Sequence, residues 1–294
     1  MNQLSEWARG CLLGLAVGDA LGTTLEFTQR DSQPHHTEML GGGFYDLKPG
    51  QWTDDTAMAL ALANSLTNCE GFNPKDVLDC FLAWLDSGDY SCTGLCFDIG
   101  NATLASLTAY RRTGQVSPVM DSAGNGSLMR LAPAVIFAKS RESAVRLAVE
   151  QSELTHGAAQ AVQACQLFAE MLWDVREGAD KEHVLRARNW EGDAAIAAIA
   201  AGAWKNKSRK EISSSGYVIH TLEAALWCIS QAESFEQALI MAVNLGDDAD
   251  TVGAVTGQLA GALWGVSSIP KRWLVPLAWK KDILKIADQL SSVK

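Results

Sequence analysis

Apolar residues recur along most of this chain at the three-to-four-residue spacing of α-helices. Trp7, Cys11, Leu12 and Leu15 form the first such stripe, within residues 5–21. Comparable helical patterns cover residues 58–66, 77–85, 101–112, 140–154, 158–173, 181–188, 191–204, 222–229, 252–265 and 279–290. No segment shows the two-residue alternation that is typical of a half-buried strand. The pattern therefore predicts an all-α fold of roughly a dozen helices, in one compact domain over residues 1–294.

One of these helical segments carries a regular glycine stripe. Its glycines stand four residues apart, at Gly253, Gly257, Gly261 and Gly265. Each glycine costs a helix up to ~1 kcal/mol relative to alanine, so the stripe predicts close approach of another helix backbone. Asp250 and Gln258 interrupt the segment, and no apolar run approaches the ~20 residues of a membrane span. We therefore expect the central helix of a soluble bundle.

Composition excludes some classes of function. The 294 residues are 48% hydrophobic and 20% charged, with a net charge of −10 that argues against nonspecific binding to nucleic acid or anionic membranes. Several of the seven cysteines lie in apolar helical patterns, which is typical of reduced core residues in a cytoplasmic protein. No basic region follows Met1, so a signal peptide is not expected. We expect a cytoplasmic monomer.

Two clusters of oxygen-bearing side chains lie far apart in the sequence, each at a predicted helix start. They are Thr53, Asp54, Asp55 and Thr56 in the first cluster, and Asp247, Asp248, Asp250 and Thr251 in the second. Helix capping alone explains one or two residues of each set. Adjacent carboxylates repel one another unless a cation neutralises them, and Mg²⁺ or Mn²⁺ takes carboxylate and hydroxyl oxygens. The two clusters therefore predict one metal site on which both converge.

Irregular segments separate the helical patterns and carry further polar groups. Residues 28–51 are expected to form a long surface loop, in which His35 and His36 are solvated rather than zinc ligands. Residues 122–130 contain a Gly-Asn-Gly sequence whose backbone N–H groups can hold phosphate, although such a sequence is more often only a turn. His156 follows a helical pattern, and a histidine there more often caps carbonyls than binds a ligand.

Taken together, these segments resemble the ADP-ribosylglycohydrolase family. The matching segments run through the chain in family order: residues 18–22 with Glu26, residues 52–56, 97–101, 124–130, 155–157, 214–218 and 246–251. Each motif is weak alone, but the ordered set is specific. The family often has Gly in place of Asp247 and Thr or Asn in place of Ala249, and neither is expected to be a ligand position.

The resemblance implies an all-helical domain with a dinuclear Mg²⁺ or Mn²⁺ site in a cleft. The implied metal ligands are Thr53, Asp54, Asp55, Asp248, Asp250 and Thr251. The implied catalytic residues are Glu26 beside one metal, Asp98 facing the reacting sugar carbon, and Asp55. The implied substrate contacts are Gly124, Asn125, Gly126 and Ser127 at the diphosphate, His156 at the distal part of the ligand, and Gly216 with Tyr217 at the adenosine end.

The implied reaction is removal of ADP-ribose from a modified acceptor, and the segment around Asp98 favours arginine in a protein. Cleavage of an N-glycosidic bond requires a fixed sugar, a placed water and a proton carrier, which two cations and a carboxylate can supply. Alternatives are hydrolysis of a serine, O-acetyl or poly(ADP-ribose) linkage, and metal-dependent binding of ADP-ribose without turnover. An isoprenoid synthase is disfavoured because Met58 stands where its first motif needs Asp. A haloacid-dehalogenase phosphatase would need Thr at Val252, and an EF-hand would need Glu at Leu259.

Overall fold

The computed structural model describes residues 3–292, and the regular structure in that range is helical, as predicted. Its α-helices are α1 (Gln3–Gly22), α2 (Asp54–Asn68), α3 (Pro74–Ser87), α4 (Asn101–Thr113), α5 (Ala132–Phe137), α6 (Arg141–Ser152), α7 (Ala159–Arg176), α8 (Lys181–Val184), α9 (Ala194–Ala200), α10 (Val218–Gln231), α11 (Phe235–Val243), α12 (Ala249–Trp264), α13 (Lys271–Leu274) and α14 (Lys280–Ser292). Short 3-10 turns lie at Ala203–Asn206 and Val266–Ser268. Extended pairing in the described range is limited to three isolated bridges.

The glycine stripe of α12 packs against a second glycine stripe on α1. An added Cβ at any of the contacting glycines would lie 1.9–2.4 Å from a carbonyl oxygen of the facing helix. The pairs run antiparallel: Gly10 with Gly261, Gly14 with Gly257, and Gly18 with Gly253. The predicted helix-to-helix contact is thus confirmed, except at Gly265, which instead ends α12 with a φ of +76°.

Close packing of α1 and α12 places the two helices at the centre of the molecule. Every residue of α12 from Ala249 to Ala262 is buried. The surrounding helices contribute to a continuous hydrophobic core that extends from Trp7 to Leu290. The bounds of a single domain over residues 1–294 stay a prediction. None of the helices within residues 3–292 combines the length and the apolar character needed to cross a bilayer.

Two predicted helices are shorter in the structure. The pattern over residues 181–188 forms only the single turn of α8, and the pattern over residues 191–204 forms α9. The Asp193 side chain accepts hydrogen bonds from the N–H groups of Ala195 and Ile196, so α9 begins there. Gly202, with a φ of +86°, prevents α9 from continuing to Trp204.

The predicted long loop after α1 is present, but it is anchored rather than fully solvated. His36 is buried, and its ring Nε2 lies 3.1 Å from the carbonyl oxygen of Leu21. The His36 N–H donates to Oδ1 of Asn244 at 2.8 Å, which ties the loop to the segment preceding α12. The prediction that both histidines are solvated is therefore wrong for His36 and confirmed for the exposed His35. The anchored loop forms one side of the cleft described next.

Candidate active site

The two oxygen clusters meet at the start of α2 and the start of α12, as the sequence predicts. The Thr53 Oγ1 atom lies 3.2 Å from Oδ2 of Asp55 and 3.2 Å from Oδ2 of Asp250. The Thr251 Oγ1 atom lies 3.4 Å from the same Asp55 oxygen. All four side chains are buried. Residues from opposite ends of the chain thus share one polar centre inside the helical core.

Asp19 of α1 belongs to this centre, although the sequence analysis assigned it no role. Its Oδ1 accepts from the Thr53 N–H at 2.9 Å, and its Oδ2 accepts from the Thr56 N–H at 3.0 Å. These N–H groups are at the start of α2, where no intrahelical acceptor exists for them. Asp19 therefore caps α2 from another helix and fixes the turn that carries Asp54 and Asp55.

Asp98 reaches the centre from the irregular segment before α4. Its backbone φ of +61° is unusual for a residue other than glycine, and such conformations cluster at functional sites. The Tyr45 hydroxyl donates to Oδ1 of Asp98 at 2.7 Å. Glu26, on the loop after α1, is buried beside it, and its Oε2 has no hydrogen-bond partner within residues 3–292. Two of the three predicted catalytic carboxylates, Glu26 and Asp98, therefore line the cleft, and the third, Asp55, lies in the buried polar centre.

The carboxylate oxygens fall into two groups of three, each with its atoms within 4.8 Å of one another. One group is Asp19, Asp55 and Asp250, and the other is Glu26, Asp98 and Asp250. Asp250 belongs to both groups, so two cations bound there would be neighbours. Asp54 and Asp248, which were also predicted to be ligands, line the cleft beside these groups.

The donor set fits hard divalent cations. Every ligand atom is an oxygen, and no lysine or arginine bonds to Asp55, Asp250 or Glu26 among the described residues. Oδ1 of Asp55 is buried without a partner. The single hydroxyl proton of Thr53 faces three aspartate oxygens but can be donated to only one of them. Buried acceptors without donors are costly, and a cation would satisfy them.

Burial, and then the crowding of carboxylates, raises the pKa values of the carboxyl groups. Burial raises the pKa of Glu26 to about 9, and the nearby Asp98 adds to the effect. Burial also raises the pKa of Asp19 and of Asp98 to about 6 each. The pKa values of Asp54, Asp55 and Asp250 lie well above the usual range, through burial first and then neighbouring carboxylates. Without a cation, this site cannot hold all its carboxylates ionised.

A second wall of the cleft is formed by the Gly-Asn-Gly turn before α5. The Asn125 Nδ2 atom donates to Oδ2 of Asp248 at 2.6 Å, and the Asn125 N–H donates to the Gly216 carbonyl at 3.2 Å. Gly124 and Tyr217 form an isolated antiparallel bridge. The turn, the segment before α10 and the acidic centre are therefore connected, and Gly124, Asn125, Gly126 and Gly216 line the cleft.

Two predicted substrate-binding side chains have other partners. The Ser127 hydroxyl is buried and accepts a hydrogen bond from the Ser152 hydroxyl at 2.9 Å, so this side chain does not line the cleft. The Tyr217 hydroxyl donates to Oε1 of Gln160 at 2.6 Å, beside the cleft. Ser127 is buried as a whole residue, so its backbone also lies behind the surface of the cleft.

His156 lines the cleft, and its neighbours define its protonation. The Arg130 Nη2 atom donates to Oγ1 of Thr155 at 2.8 Å, and that oxygen lies 2.7 Å from Nδ1 of His156. Because Arg130 cannot accept a proton, the Thr155 hydroxyl satisfies its own donor by donating to Nδ1. Burial lowers the pKa of His156 to about 3, and Arg130 contributes. His156 is therefore neutral, with its proton on Nε2.

The Nε2 proton of His156 is directed toward the Gly-Asn-Gly turn. An added Cβ at Gly126 would lie 3.0 Å from Nε2 of His156, and one at Gly124 would lie 3.4 Å away. The cavity between the turn and the acidic centre has a volume of about 690 Å³, which is within the usual range for a drug-sized or nucleotide-sized ligand. The cleft offers hydrogen-bond donors from the turn and from His156, and carboxylates from the acidic centre. This arrangement suits an anionic ligand whose oxygens are held through cations.

Comparison with known proteins identifies relatives over the whole chain. The ADP-ribosylglycohydrolase family profile matches residues 1–294. ADP-ribosylarginine hydrolase Tri1 of Pseudomonas putida (strain GB-1) is 46% identical over 293 residues, which cover 98% of this chain and 79% of that protein. ADP-ribosyl-[dinitrogen reductase] glycohydrolase of Rhodospirillum rubrum is 34% identical, over 96% of this chain and 95% of that protein. A solved ADP-ribosylglycohydrolase-related protein complex superposes with a TM-score of 0.90 at 38% identity, over 100% of this chain and 99% of that one.

Proposed function

This chain belongs to the ADP-ribosylglycohydrolase family, and we propose that it is a metal-dependent hydrolase that removes ADP-ribose from modified arginine side chains of proteins. The convergence of the Thr53–Asp55 and Asp250–Thr251 turns in one buried, cation-deficient centre carries the proposal. Arginine is favoured as the acceptor because the relative that is 46% identical is an ADP-ribosylarginine hydrolase. The seven unpaired cysteines support the cytoplasmic location that the sequence predicts.

The cofactors in this proposal are two divalent cations, Mg²⁺ or Mn²⁺. Their ligands would come from the starts of α2 and α12: Thr53, Asp54, Asp55, Asp248, Asp250 and Thr251. When bound, the cations would supply positive charge that fixes the ribose oxygens and increases the acidity of a water molecule. Asp19 would keep its hydrogen bonds to α2 and hold the ligand turn in place.

Hydrolysis forms a bond from the water oxygen to the anomeric carbon and breaks the bond from that carbon to the acceptor nitrogen. Asp98 would face the anomeric carbon and stabilise its developing positive charge, because Tyr45 holds the carboxylate in the cleft. One water proton ends on the departing guanidine nitrogen. Glu26 would carry that proton, because it lines the cleft and its buried Oε2 atom has no hydrogen-bond partner among the described residues, while Asp55 would help to orient the water.

The remainder of the ligand would occupy the donor side of the cleft. Backbone N–H groups of Gly124 and Gly126 would hold the diphosphate, aided by the Nε2 proton of His156. Asn125 and Ser127 would support this turn through their hydrogen bonds to Gly216 and Ser152. Gly216 and Tyr217 would border the adenosine end. The partner is therefore an ADP-ribosylated protein or ADP-ribose itself. The predicted monomeric state remains to be measured.

Matched variants of two neighbouring acids test the proposal. Asp250→Asn removes a shared charge from both ligand groups, so we expect loss of Mn²⁺-dependent thermal stabilisation and of ADP-ribose release from arginine-modified protein. Asp247→Asn makes the same chemical change at an exposed position on the cleft wall that is not an expected ligand position, so it should retain the Mn²⁺-dependent thermal stabilisation. Full turnover by Asp250→Asn would refute the assignment of the metal site.

A substrate panel tests the linkage and the activity separately. Arginine-, serine- and poly-linked ADP-ribose, each with Mg²⁺ and with Mn²⁺, should give the fastest release from arginine. Calorimetry with ADP-ribose reports binding alone. Tight binding without release from any substrate would replace the hydrolase with a metal-dependent ADP-ribose-binding protein.

A further inference from the structure

Four aromatic side chains form a connected group beside the acidic centre, and two of them line its cleft. We call Phe27, Phe44, Tyr45 and Phe97 the aromatic rim. The rings of Phe27 and Phe44 meet edge to face with centroids 5.1 Å apart, Phe44 and Tyr45 meet at 5.0 Å, and Tyr45 and Phe97 meet at 5.1 Å. Despite these contacts, Phe27 is 58% exposed and Phe44 is 70% exposed. The rim therefore presents ring surface to solvent beside a charged site.

The backbone holds the rim in this position. Gly43 packs so closely on the loop after α1 that an added Cβ would lie 2.2 Å from the Thr23 carbonyl oxygen. This contact fixes the tip that carries Phe44 and Tyr45. Phe27 has a φ of +58°, which is rare for a bulky residue, and its N–H donates to the Asp247 carbonyl at 2.7 Å. Exposed apolar rings that are held this rigidly suggest contact with a partner.

The rim lies between two cavities that share Glu26 and Phe27. The first is the cleft of the acidic centre, which Tyr45 and Asp98 also line. The second has a volume of about 570 Å³ and includes Phe44 in its wall. A side chain attached to the reacting sugar could leave the acidic centre across the rim and enter this second cavity.

The chemistry of this path matches a guanidinium group. Arginine has a planar cation with five N–H donors and no acceptor, and it stacks on aromatic faces. The path offers aromatic rings together with the carboxyl groups of Glu26 and Asp98, and no lysine or arginine lines either cavity among the described residues. An adenine ring could also stack on aromatics. However, the proposed phosphate-binding turn and His156 line the first cavity and not the second, whereas Phe44 lines the second and not the first.

We propose that the aromatic rim binds the acceptor side chain of the substrate, with Phe27 and Phe44 stacking on the guanidinium and methylene groups of the modified arginine. This inference rests on the proposed function and adds the residues that select the acceptor. Tyr45 is a positioning residue in this arrangement, because its hydroxyl holds Asp98 while its ring supports Phe44 and Phe97.

Conservative ring replacements test the rim. Phe44→Leu keeps apolar surface and removes the aromatic face, so KM for ADP-ribosyl-arginine should rise about two- to fivefold with kcat little changed. The Phe27→Leu/Phe44→Leu double variant should show a larger rise in KM, and Phe44→Tyr should retain the KM of the wild-type enzyme. Val275→Ala, at an apolar position that is 80% exposed and outside the rim, is the control. The calorimetric affinity for ADP-ribose, which lacks the acceptor, should be the same in all variants.

The outcomes separate the rim from the proposed function. An unchanged KM in the double variant overturns the rim, and so does an equal loss of affinity for ADP-ribose, since the rings would then contact the nucleotide. If the wild-type enzyme releases no ADP-ribose from arginine, the proposed function fails. Calorimetry then tests separately whether the rim binds the acceptor side chain. Tighter binding of ADP-ribosyl-arginine than of ADP-ribose, with the difference lost in the double variant, supports that role, and equal binding of the two ligands overturns it.

Discussion

The contact between the glycine stripes of α1 and α12 predicts a graded response to alanine. In Gly257→Ala the new Cβ would lie 2.0 Å from the Gly14 carbonyl oxygen, whereas ordinary contact begins at 3.4 Å. The helices would therefore have to separate by about 1.4 Å, with no flexible side chain to absorb the change. Overpacking costs ~1–3 kcal/mol or more, and alanine returns at most ~1 kcal/mol of helix propensity. We expect a net loss of about 2 kcal/mol. At an unfolding entropy of ~2.1 cal/mol/K per residue, this loss lowers the Tm of the 294-residue chain by roughly 3 °C.

The effect on metal binding should depend on distance from the site. Gly253 is within one turn of Asp250, whereas Gly261 is about 16 Å farther along α12 from Asp250, at ~1.5 Å per residue. Alanine at Gly253 should displace α12 from Asp19 and lower Mn²⁺ affinity about 10–100-fold, as changes behind a metal ligand commonly do. Alanine at Gly261 should lower Tm by a similar amount and leave Mn²⁺ affinity within about twofold.

Thermal unfolding and Mn²⁺ calorimetry measure these effects. Gly71→Ala is the control, because an added Cβ there meets nothing nearer than the Cys69 carbonyl oxygen at 3.8 Å. Its Tm should be unchanged or slightly higher. A neutral Gly257→Ala variant, or equal losses of Mn²⁺ affinity at Gly253 and Gly261, would refute the reasoning.

The acidic centre leads to two further predictions, and His156 leads to a third. In metal-free protein the pKa values of Glu26 (about 9) and of Asp19 and Asp98 (about 6) exceed their unfolded values of 4.5 and 3.8. The folded state therefore holds these protons more tightly than the unfolded state. This difference stabilises the folded protein fully below pH ~4, and the stabilisation is lost as pH rises. Tm should therefore fall from pH 5 to pH 9, and saturating Mg²⁺ should reduce that fall; a Tm that rises in metal-free protein would contradict this. Asp19→Asn would turn an amide N–H₂ toward the α2 N–H groups, and we expect a loss of about 1–3 kcal/mol in unfolding free energy by denaturant titration, with weaker Mn²⁺ binding. Thr155→Val frees Nδ1 of His156, so ¹⁵N NMR should detect the Nδ1–H tautomer and the affinity for ADP-ribose should fall, whereas Thr155→Ser should preserve both; an unchanged spectrum in the valine variant would refute the tautomer assignment.

Periodicity and local chemistry were sufficient to predict the helical class and both acid turns. The same four-residue spacing that marks Gly253, Gly257 and Gly261 also occurs in the first helix, at Gly10, Gly14 and Gly18. That second stripe could have identified α1 as the partner of α12. An aspartate within the apolar pattern of α1 was likewise a signal for Asp19, because an unpaired aspartate is seldom buried.

Other parts of the site depend on contacts that no local pattern records. Arg130 is fully buried, and its side chain donates to Gln151 and Thr155. The sequence alone does not distinguish these buried polar residues from polar residues on the surface, so it could not predict the burial of Arg130. The rim aromatics come from two irregular segments without periodicity, the loop between α1 and α2 and the segment between α3 and α4, so only tertiary structure brings them together. The burial of His36 similarly depends on Asn244, a residue 208 positions away.

The meeting of the two acid turns also constrains when this site can exist during synthesis. Thr53 and Asp250 are 197 residues apart, so a ribosome that adds about 5–20 residues per second needs roughly 10–40 s to make the second turn after the first. A nascent chain that ends before α12 holds the Asp54 and Asp55 carboxylates without their partners. Truncated products should therefore be inactive, whereas two separately expressed fragments could regain hydrolysis only by associating.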